Sequence, residues 1–356
     1  MYKLCSSVKC CRKEERKVAQ NRNKYLDEVK GIAAILVVYG HTIQYGNGAN
    51  YLMNKYFYSN IIYKAIYSFH MPLFAIIAGY LLSKSLHKRG SYEVLTSRMR
   101  SLEIPIITWS IINFGIQIRC YGSFNSIKEM LKQYIWVLIG THWFLWAILF
   151  CTISVIFIHQ LCKDFIWAYV IVLLLGFVIP DEFNLSYFKF LYPFFVGGYL
   201  WEKNNCKTLV KNDFALLGGA IIGWCLLLVF FKEDVYIYES GFCILKRENL
   251  MRQIFIDVFR IVVGVCGSII ILIGMKKLKY DCYISKVLIL FGKNSLGIYI
   301  INTYVNLYIL KRICLNWEWN GVRTILITGI VSIICTTLTV VISKCKVMNK
   351  LLLGGK

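Results

Sequence analysis

The hydrophobic positions of the chain fall into blocks separated by short polar segments, most of them basic. Most blocks have about 17–25 residues, the length at which a helix crosses the hydrocarbon core of a bilayer. The pattern therefore predicts an all-α polytopic membrane protein, a bundle of about ten transmembrane helices. The predicted spans are residues 27–46, 61–83, 101–118, 141–161, 165–180, 186–202, 214–231, 254–275, 288–310 and 322–343.

Lysine and arginine are distributed unevenly between the two sets of connecting segments. With the N-terminus inside, the inside segments carry about twice as many of these residues as the outside segments. Such a bias indicates which loops stay in the cytoplasm. The sequence thus predicts that both termini are cytoplasmic, with a basic tail at 1–24, a membrane domain at 25–343 and a second basic tail at 344–356.

Composition narrows the class of protein further. Hydrophobic residues make up 58% of the chain and charged residues only 17%, whereas soluble domains have about 25% charged residues. The net charge of +22 is spread over many short loops and no nucleic-acid-binding motif accompanies it, which excludes nucleic acid as a partner. The 14 cysteines show no spacing typical of a metal site, so we predict no metal ligands.

The first span, VKGIAAILVVYGH, contains two ionisable residues, Lys30 and His41. Eleven residues advance a helix by about 1100°, so both lie on one face, about 16 Å apart along the axis. A charged group in the hydrocarbon is costly and is by default a sign of function. The alternative is a snorkelling lysine together with a histidine that bonds a neighbouring helix.

The second span, IYSFHMPLFAIIAGYLL, contains His70. Counted from the inner ends of their antiparallel helices, His41 and His70 reach about the same depth, near 20 Å from the cytoplasmic side. Two imidazoles at matching depth indicate a shared site that handles protons, although lone histidines are often structural. Gly79 in the same span favours close contact with another helix.

Three further stretches contain polar side chains with open interpretations. Arg98 and Arg100 precede the third span, where they suit phosphate recognition or merely obey the positive-inside rule. His142 and Trp143 fall at the outer interface, in an aromatic belt or a sugar-stacking site. Asn302 in GKNSLGIYIINTY either lines a cavity or bonds one helix to another.

These stretches resemble, in order, the motifs of the acyltransferase-3 family of integral membrane acyltransferases. The likeness runs from about 25 to 343 and is greatest to the subgroup named for fucose 4-O-acetylase. Lys30 stands where the family usually has arginine, and Asn302 stands where many members have histidine. The segments that carry the resemblance are LDEVKGIAAILVVYGH, SFHMPLFAIIAGYLL, RMRSLEIP, HWFLWAILF, YPFFVGGYLW and FGKNSLGIYIIN.

The resemblance implies transfer of an acyl group, usually acetyl from acetyl-CoA, to a hydroxyl of a cell-surface glycan or lipid-linked sugar. It implies a multi-pass protein of the inner (plasma) membrane, surrounded by membrane lipid, with acyl-CoA as co-substrate. Lys30, Arg98 and Arg100 are then expected to bind the phosphates of the donor. His142 and Trp143 are expected to contact the acceptor.

For the chemistry, we expect His41 to act as general base on the acceptor hydroxyl or to accept the acyl group transiently. His70 or Asn302 would orient His41 or stabilise the developing oxyanion, and Asn302 is also expected near the acceptor. A different function stays open, namely a glycolipid or small-solute transporter or flippase without acyl transfer.

Overall fold

The computed structural model describes residues 23–122, 124, 126–178, 184–204, 213–232, 249–276 and 283–355. Over these residues the protein is helical, with no β-strand. The helices are α1 Lys24–Tyr45, α2 Ala49–Met53, α3 Ile61–Leu86, α4 Ser91–Tyr121, α5 Ile127–Gly140, α6 Trp143–Leu161, α7 Ile166–Val178, α8 Leu185–Lys203, α9 Asp213–Phe230, α10 Leu250–Lys276, α11 Tyr283–Lys293, α12 Ser295–Tyr304, α13 Lys311–Ile313, α14 Gly321–Lys344 and α15 Lys346–Leu353. A 3-10 turn at Tyr56–Ser59 and a π-helical segment at Val305–Leu310 complete these elements.

The predicted all-α membrane architecture is confirmed in its coarse form. Within the described ranges, α3, α4, α6, α10 and α14 are long and apolar enough to cross a membrane, by length and composition. A sixth span forms if α11 and the helical stretch after it count as one. α7 and α9 are apolar but shorter. Ten crossings with both ends cytoplasmic stay a prediction.

The first helix differs from an ordinary apolar span because it begins with buried charges. Asp27 and Glu28 are 2% and 0% exposed. Asp27 is 2.7 Å from Lys30 Nζ, and Glu28 accepts a hydrogen bond from Ser285 of α11. Buried charges are tolerated when they are paired and hydrogen-bonded. The polar start of α1 therefore faces α11 and the interior of the bundle rather than lipid.

Glycine brings α3 and α8 into direct backbone contact. A Cβ on Gly79 would lie 1.9 Å from the Phe195 carbonyl oxygen, and a Cβ on Gly198 would lie 2.0 Å from that of Ile76. No side chain fits at either position, so the two helices approach as closely as small-residue packing in membranes allows. The close contact predicted at Gly79 is confirmed. It fixes the position of α3, the helix that carries His70.

The sequence predicts one span at 288–310. In the structure this stretch is not one continuous helix. α11 and the following helical stretch meet at Asn294 with a bend of 72°. The side chain of Asn294 donates to the Leu290 carbonyl oxygen and so satisfies the end of α11. A new helix starts at Ser295 and continues into the π-helical segment. The break directs the N-terminus of α12 into the bundle.

The stretch 344–356 is more than the basic tail that the sequence predicts. Residues 346–353 form α15, which packs against α4 and α14. The indole nitrogen of Trp109 in α4 donates to the Leu352 carbonyl oxygen over 2.9 Å. The helix therefore belongs to the wall of the bundle. Residues 1–22 of the other predicted tail lie outside the described residues.

A cluster of hydrogen bonds joins the turn between α6 and α7 to the end of α8. Asp164, in the left-handed region at φ 62°, accepts from Lys203 Nζ at 2.5 Å, His159 Nδ1 at 2.6 Å and Tyr169 Oη at 2.6 Å. Burial opposes ionisation of this carboxyl, but the hydrogen bonds from Lys203, Tyr169 and His159 outweigh it and lower its pKa to about 2. The turn is thus held by a carboxylate that stays charged.

We expect Asp164→Asn to destabilise the protein by about 1–3 kcal/mol, because the amide keeps the left-handed backbone but cannot replace the charged acceptor. Since the folded pKa lies below the ordinary value of 3.8, this stability is present above that value and is lost as pH falls through about 2. Thermal unfolding in detergent tests this. The difference in melting temperature between the wild type and Asp164→Asn should be largest at neutral pH and should decrease in acid. A difference that did not change with pH would contradict the role of the charge.

Candidate functional site

Three histidines line one cavity of about 240 Å³ inside the bundle. His41 comes from α1, His70 from α3, and His142 from the turn that precedes α6. The rest of the lining is mixed, with Tyr45, Asn113, Thr141, Trp143, Tyr299 and Thr303 among its polar and aromatic members. A concave site with a few convergent polar groups is the usual form of a small-molecule site.

His41 contacts one asparagine of the bent span, which a second asparagine orients in turn. Its Nδ1 lies 2.9 Å from Asn302 Nδ2. Asn306 Nδ2 in turn lies 2.8 Å from the backbone oxygen of Asn302 and 2.5 Å from its side-chain oxygen. Both asparagines are fully buried. Asn306 belongs to the π-helical segment, a rare geometry that is frequent at functional sites.

His70 is oriented by its own helix. The ring is 2% exposed, and its Nδ1 lies 2.7 Å from the Ile66 carbonyl oxygen. Tyr67 packs against it edge to face, with ring centroids 5.0 Å apart. The structure brings His41 and His70 to one cavity, as the matching depths predict.

His142 lies deeper than the sequence predicts for a residue at the outer interface. It is 5% exposed and adopts a left-handed backbone conformation at φ 57°. Its Nε2 is 3.2 Å from the Tyr304 hydroxyl, which donates to the Trp109 carbonyl oxygen. Strained backbone of this kind costs of order 1–3 kcal/mol and concentrates at functional sites. The strain here turns an imidazole into the cavity beside Trp143.

A second cavity, of about 210 Å³, contains the predicted cations. Lys30 and Arg98 line it together with Ser295, the first residue of α12. Lys30 is also paired with Asp27 of its own helix. Arg100 is exposed and is not part of this lining. The structure therefore groups Lys30 with Arg98 and separates both from Arg100.

Tyr299 belongs to the walls of both cavities. Its ring centroid lies 5.7 Å from that of Phe144 and 6.2 Å from that of His142. Phe144 lines the cavity with the cations, whereas His142 lines the one with the histidines. A continuous line of aromatic contact thus joins the basic cavity to the histidine cavity.

Sequence reasoning misses Tyr299 and Asn306. Tyr299 reads as one more apolar residue of a span, and nothing local shows that two cavities meet at it. Asn306 carries a usable signal, since it lies four residues after Asn302 and hence on the same helical face. Asn302 itself contacts His41 and is not among the residues that line the histidine cavity.

The apolar helices and the polar cavities within their bundle define a multi-pass membrane protein with an internal site. A family model described as an acyltransferase domain, that of the acyltransferase-3 family, matches residues 23–344. The match covers most of the chain and includes every residue of both cavities. The protein belongs to this family, as its sequence motifs predict.

Two curated relatives of the chain are both named nodulation protein NolL. The protein of Sinorhizobium fredii is 31% identical over 232 residues, which is 62% of this chain and 61% of the relative. That of Mesorhizobium japonicum is 26% identical over 242 residues, 66% of this chain and 63% of the relative. The chain thus spans rather less than two thirds of the length of these relatives. No solved structure is significantly similar to the chain.

Proposed function

We propose that the protein transfers an acetyl or other short acyl group from acyl-CoA to a hydroxyl of a cell-surface glycan or glycolipid. The observation that supports this most directly is the pair of cavities that share Tyr299, one with cations and one with histidines. Acyl-CoA has phosphates at one end and a reactive thioester at the other, so it needs both environments. Membership of an acyltransferase family supports the same reaction class.

In this proposal the basic cavity holds the donor. Arg98 presents a planar guanidinium suited to phosphate, Lys30 adds a second cation, and the N-terminus of α12 at Ser295 favours anions. Because Lys30 already pairs with Asp27, Arg98 carries the larger part of phosphate binding. Arg100 remains a cation near the mouth that attracts the donor. The pantetheine arm then runs past Tyr299 toward the histidines.

The histidine cavity takes the thioester and the acceptor hydroxyl. Trp143 offers an aromatic face for a sugar ring, and His142 offers a ring nitrogen for a sugar hydroxyl. An intramembrane histidine removes the hydroxyl proton as the oxygen attacks the thioester carbon. The sequence assigns that task, or transient acyl transfer, to His41.

The orientation in the membrane follows from charge. The excess of lysine and arginine in alternate segments favours a cytoplasmic N-terminus and about ten crossings of the inner membrane. Lys30 and Arg98 lie near the starts of α1 and α4, which this orientation puts on the cytoplasmic side, where acyl-CoA is made. The acceptor approaches the histidine cavity from the other half of the bundle.

Radiolabelled acetyl-CoA provides the test of the function. The purified protein in lipid nanodiscs is incubated with labelled acetyl-CoA and with glycolipid extracted from the membranes of the organism that makes the protein. Nanodiscs without protein serve as the control. We expect label in the glycolipid that hydroxylamine releases, as it releases an O-ester. Absence of transfer, combined with movement of the glycolipid across vesicles that contain the protein, would instead indicate the transporter.

A further inference from the structure

We infer that His41 and His70 have opposite tasks, and that Asn306 is the positioning residue that sets the task of His41. His41 donates a hydrogen bond to the oxyanion of the reaction, and His70 is the base. This assignment rests on the proposed acyl transfer and differs from the sequence prediction, which makes His41 the base. It follows from which ring nitrogen of each histidine carries the hydrogen.

The argument begins at a backbone carbonyl, which can only accept a hydrogen bond. The Asn306 side-chain atom 2.8 Å from the Asn302 backbone oxygen must therefore be the amide nitrogen. With the opposite orientation, two oxygens would lie against each other in a fully buried site. The same nitrogen reaches the side-chain amide of Asn302. It therefore makes the nearer atom of that amide its oxygen.

The orientation of Asn302 then decides the state of His41. With its oxygen toward Asn306, Asn302 presents its NH₂ group to His41 Nδ1 over 2.9 Å. Nδ1 must accept, so the hydrogen of the neutral imidazole lies on Nε2. Asn302 is outside the cavity lining while His41 is within it, so Nε2 is the nitrogen on the cavity side. His41 therefore offers a donor there.

His70 is fixed in the opposite state by the same rule. The Ile66 carbonyl oxygen, 2.7 Å from Nδ1, can only accept, so Nδ1 carries the hydrogen. The neutral ring then has its lone pair on Nε2, the nitrogen that can take up a proton. His142 donates through Nε2 to Tyr304, whose one hydrogen goes to the Trp109 carbonyl oxygen. That leaves His142 Nδ1 as an acceptor for a second sugar hydroxyl.

The reaction then balances with residues of this chain alone. The acceptor oxygen forms a bond to the thioester carbon while its proton passes to His70 Nε2, which becomes an imidazolium. The carbonyl oxygen becomes an oxyanion and accepts a hydrogen bond from His41 Nε2–H, which keeps its proton. The carbon–sulfur bond breaks, the oxyanion re-forms a carbonyl, and the imidazolium returns the proton to the sulfur. The products are the ester and CoA with a free thiol.

Asn302→Asp separates the two assignments because it changes hydrogen-bonding chemistry but not shape. A carboxylate can only accept, so it draws the hydrogen of His41 to Nδ1 and removes the donor from the cavity side. We expect kcat for radiolabelled acetyl-CoA to fall about 100-fold, the usual effect of losing one oxyanion donor, with KM unchanged. Asn306→Ala should lower kcat in the same direction and by less. Asn54→Asp, the same change on an exposed asparagine, should have no effect.

A result independent of activity comes from nitrogen NMR of the wild-type protein with labelled histidine in lipid bilayers. The chain has 5 histidines, and the His41→Gln and His70→Gln variants identify the two signals. We expect hydrogen on Nε2 of His41 and on Nδ1 of His70, and a shift of the His41 hydrogen to Nδ1 in Asn302→Asp. Hydrogen on Nδ1 of wild-type His41, or wild-type turnover in a folded Asn302→Asp protein, would overturn the assignment. Absence of acyl transfer in the wild type would refute the proposed function and leave the NMR result standing.

Discussion

Replacement of His70 by alanine should lower kcat for acyl transfer by roughly 10²–10⁴-fold, the range that a positioned general base contributes. The cavity proposed to bind the donor phosphates does not include His70, so KM for acetyl-CoA should stay within about twofold of wild type. The assay is transfer of label from acetyl-CoA to host glycolipid in nanodiscs. The loss should be comparable when glutamine replaces His70, since an amide cannot shuttle a proton.

The chain offers a well-matched control for this experiment. His87 caps the same helix, α3, and its Nδ1 contacts the carbonyl oxygen four residues earlier, Ser83, just as His70 contacts Ile66. His87 lies outside the cavity lining. His87→Ala should therefore preserve transfer. If folded His70→Ala protein kept most of its activity, His70 would be a structural histidine and the base would have to be sought elsewhere.

Replacement of Arg98 by glutamine should raise KM for acetyl-CoA about 10- to 100-fold and leave kcat nearly unchanged. The reason is the loss of a charge-assisted contact to phosphate, typically worth about 1.5–3 kcal/mol, in a cavity away from the reacting atoms. Steady-state kinetics of label transfer measures this. Arg119→Gln is the control, because it removes the same charge from the far end of the same helix, α4.

A truncated donor sharpens the second experiment. S-acetyl-pantetheine keeps the thioester and the arm but lacks the phosphates that Arg98 is proposed to bind. Wild-type and Arg98→Gln proteins should use this donor with the same KM. A difference that persisted with S-acetyl-pantetheine would show that the arginine supports the shape of the cavity rather than the phosphate.

The sequence predicts the parts of the site that follow helical periodicity. Lys30 and His41 share a face because their spacing is fixed by the turn of one helix, and His70 meets His41 because antiparallel helices of known length reach equal depth. Asn302 is noticed because an amide within an apolar span is costly. Each of these predictions depends on a single helix or a pair of neighbours.

The remaining features depend on breaks in regular structure, which periodicity cannot anticipate. His142 enters the cavity through a left-handed turn, so counting residues along a straight helix places it too far out. The 72° bend at Asn294 directs Ser295 toward Lys30 and Arg98, whereas an apolar run of that length predicts one straight span. The packing of α15 against Trp109 joins segments far apart in sequence.

The position of Tyr299 has a consequence for the membrane itself. In the proposed orientation, its ring lies between the basic cavity, which is reached from the cytoplasm, and the histidine cavity, which is reached from the other half of the bundle. A continuous hydrogen-bonded file of water that joined the two cavities would conduct protons across the membrane unless something in the protein interrupted it. Phe144 and Tyr299 pack against each other where the two cavities adjoin. In the proposed mechanism, we expect their rings to interrupt such a file of water between turnovers.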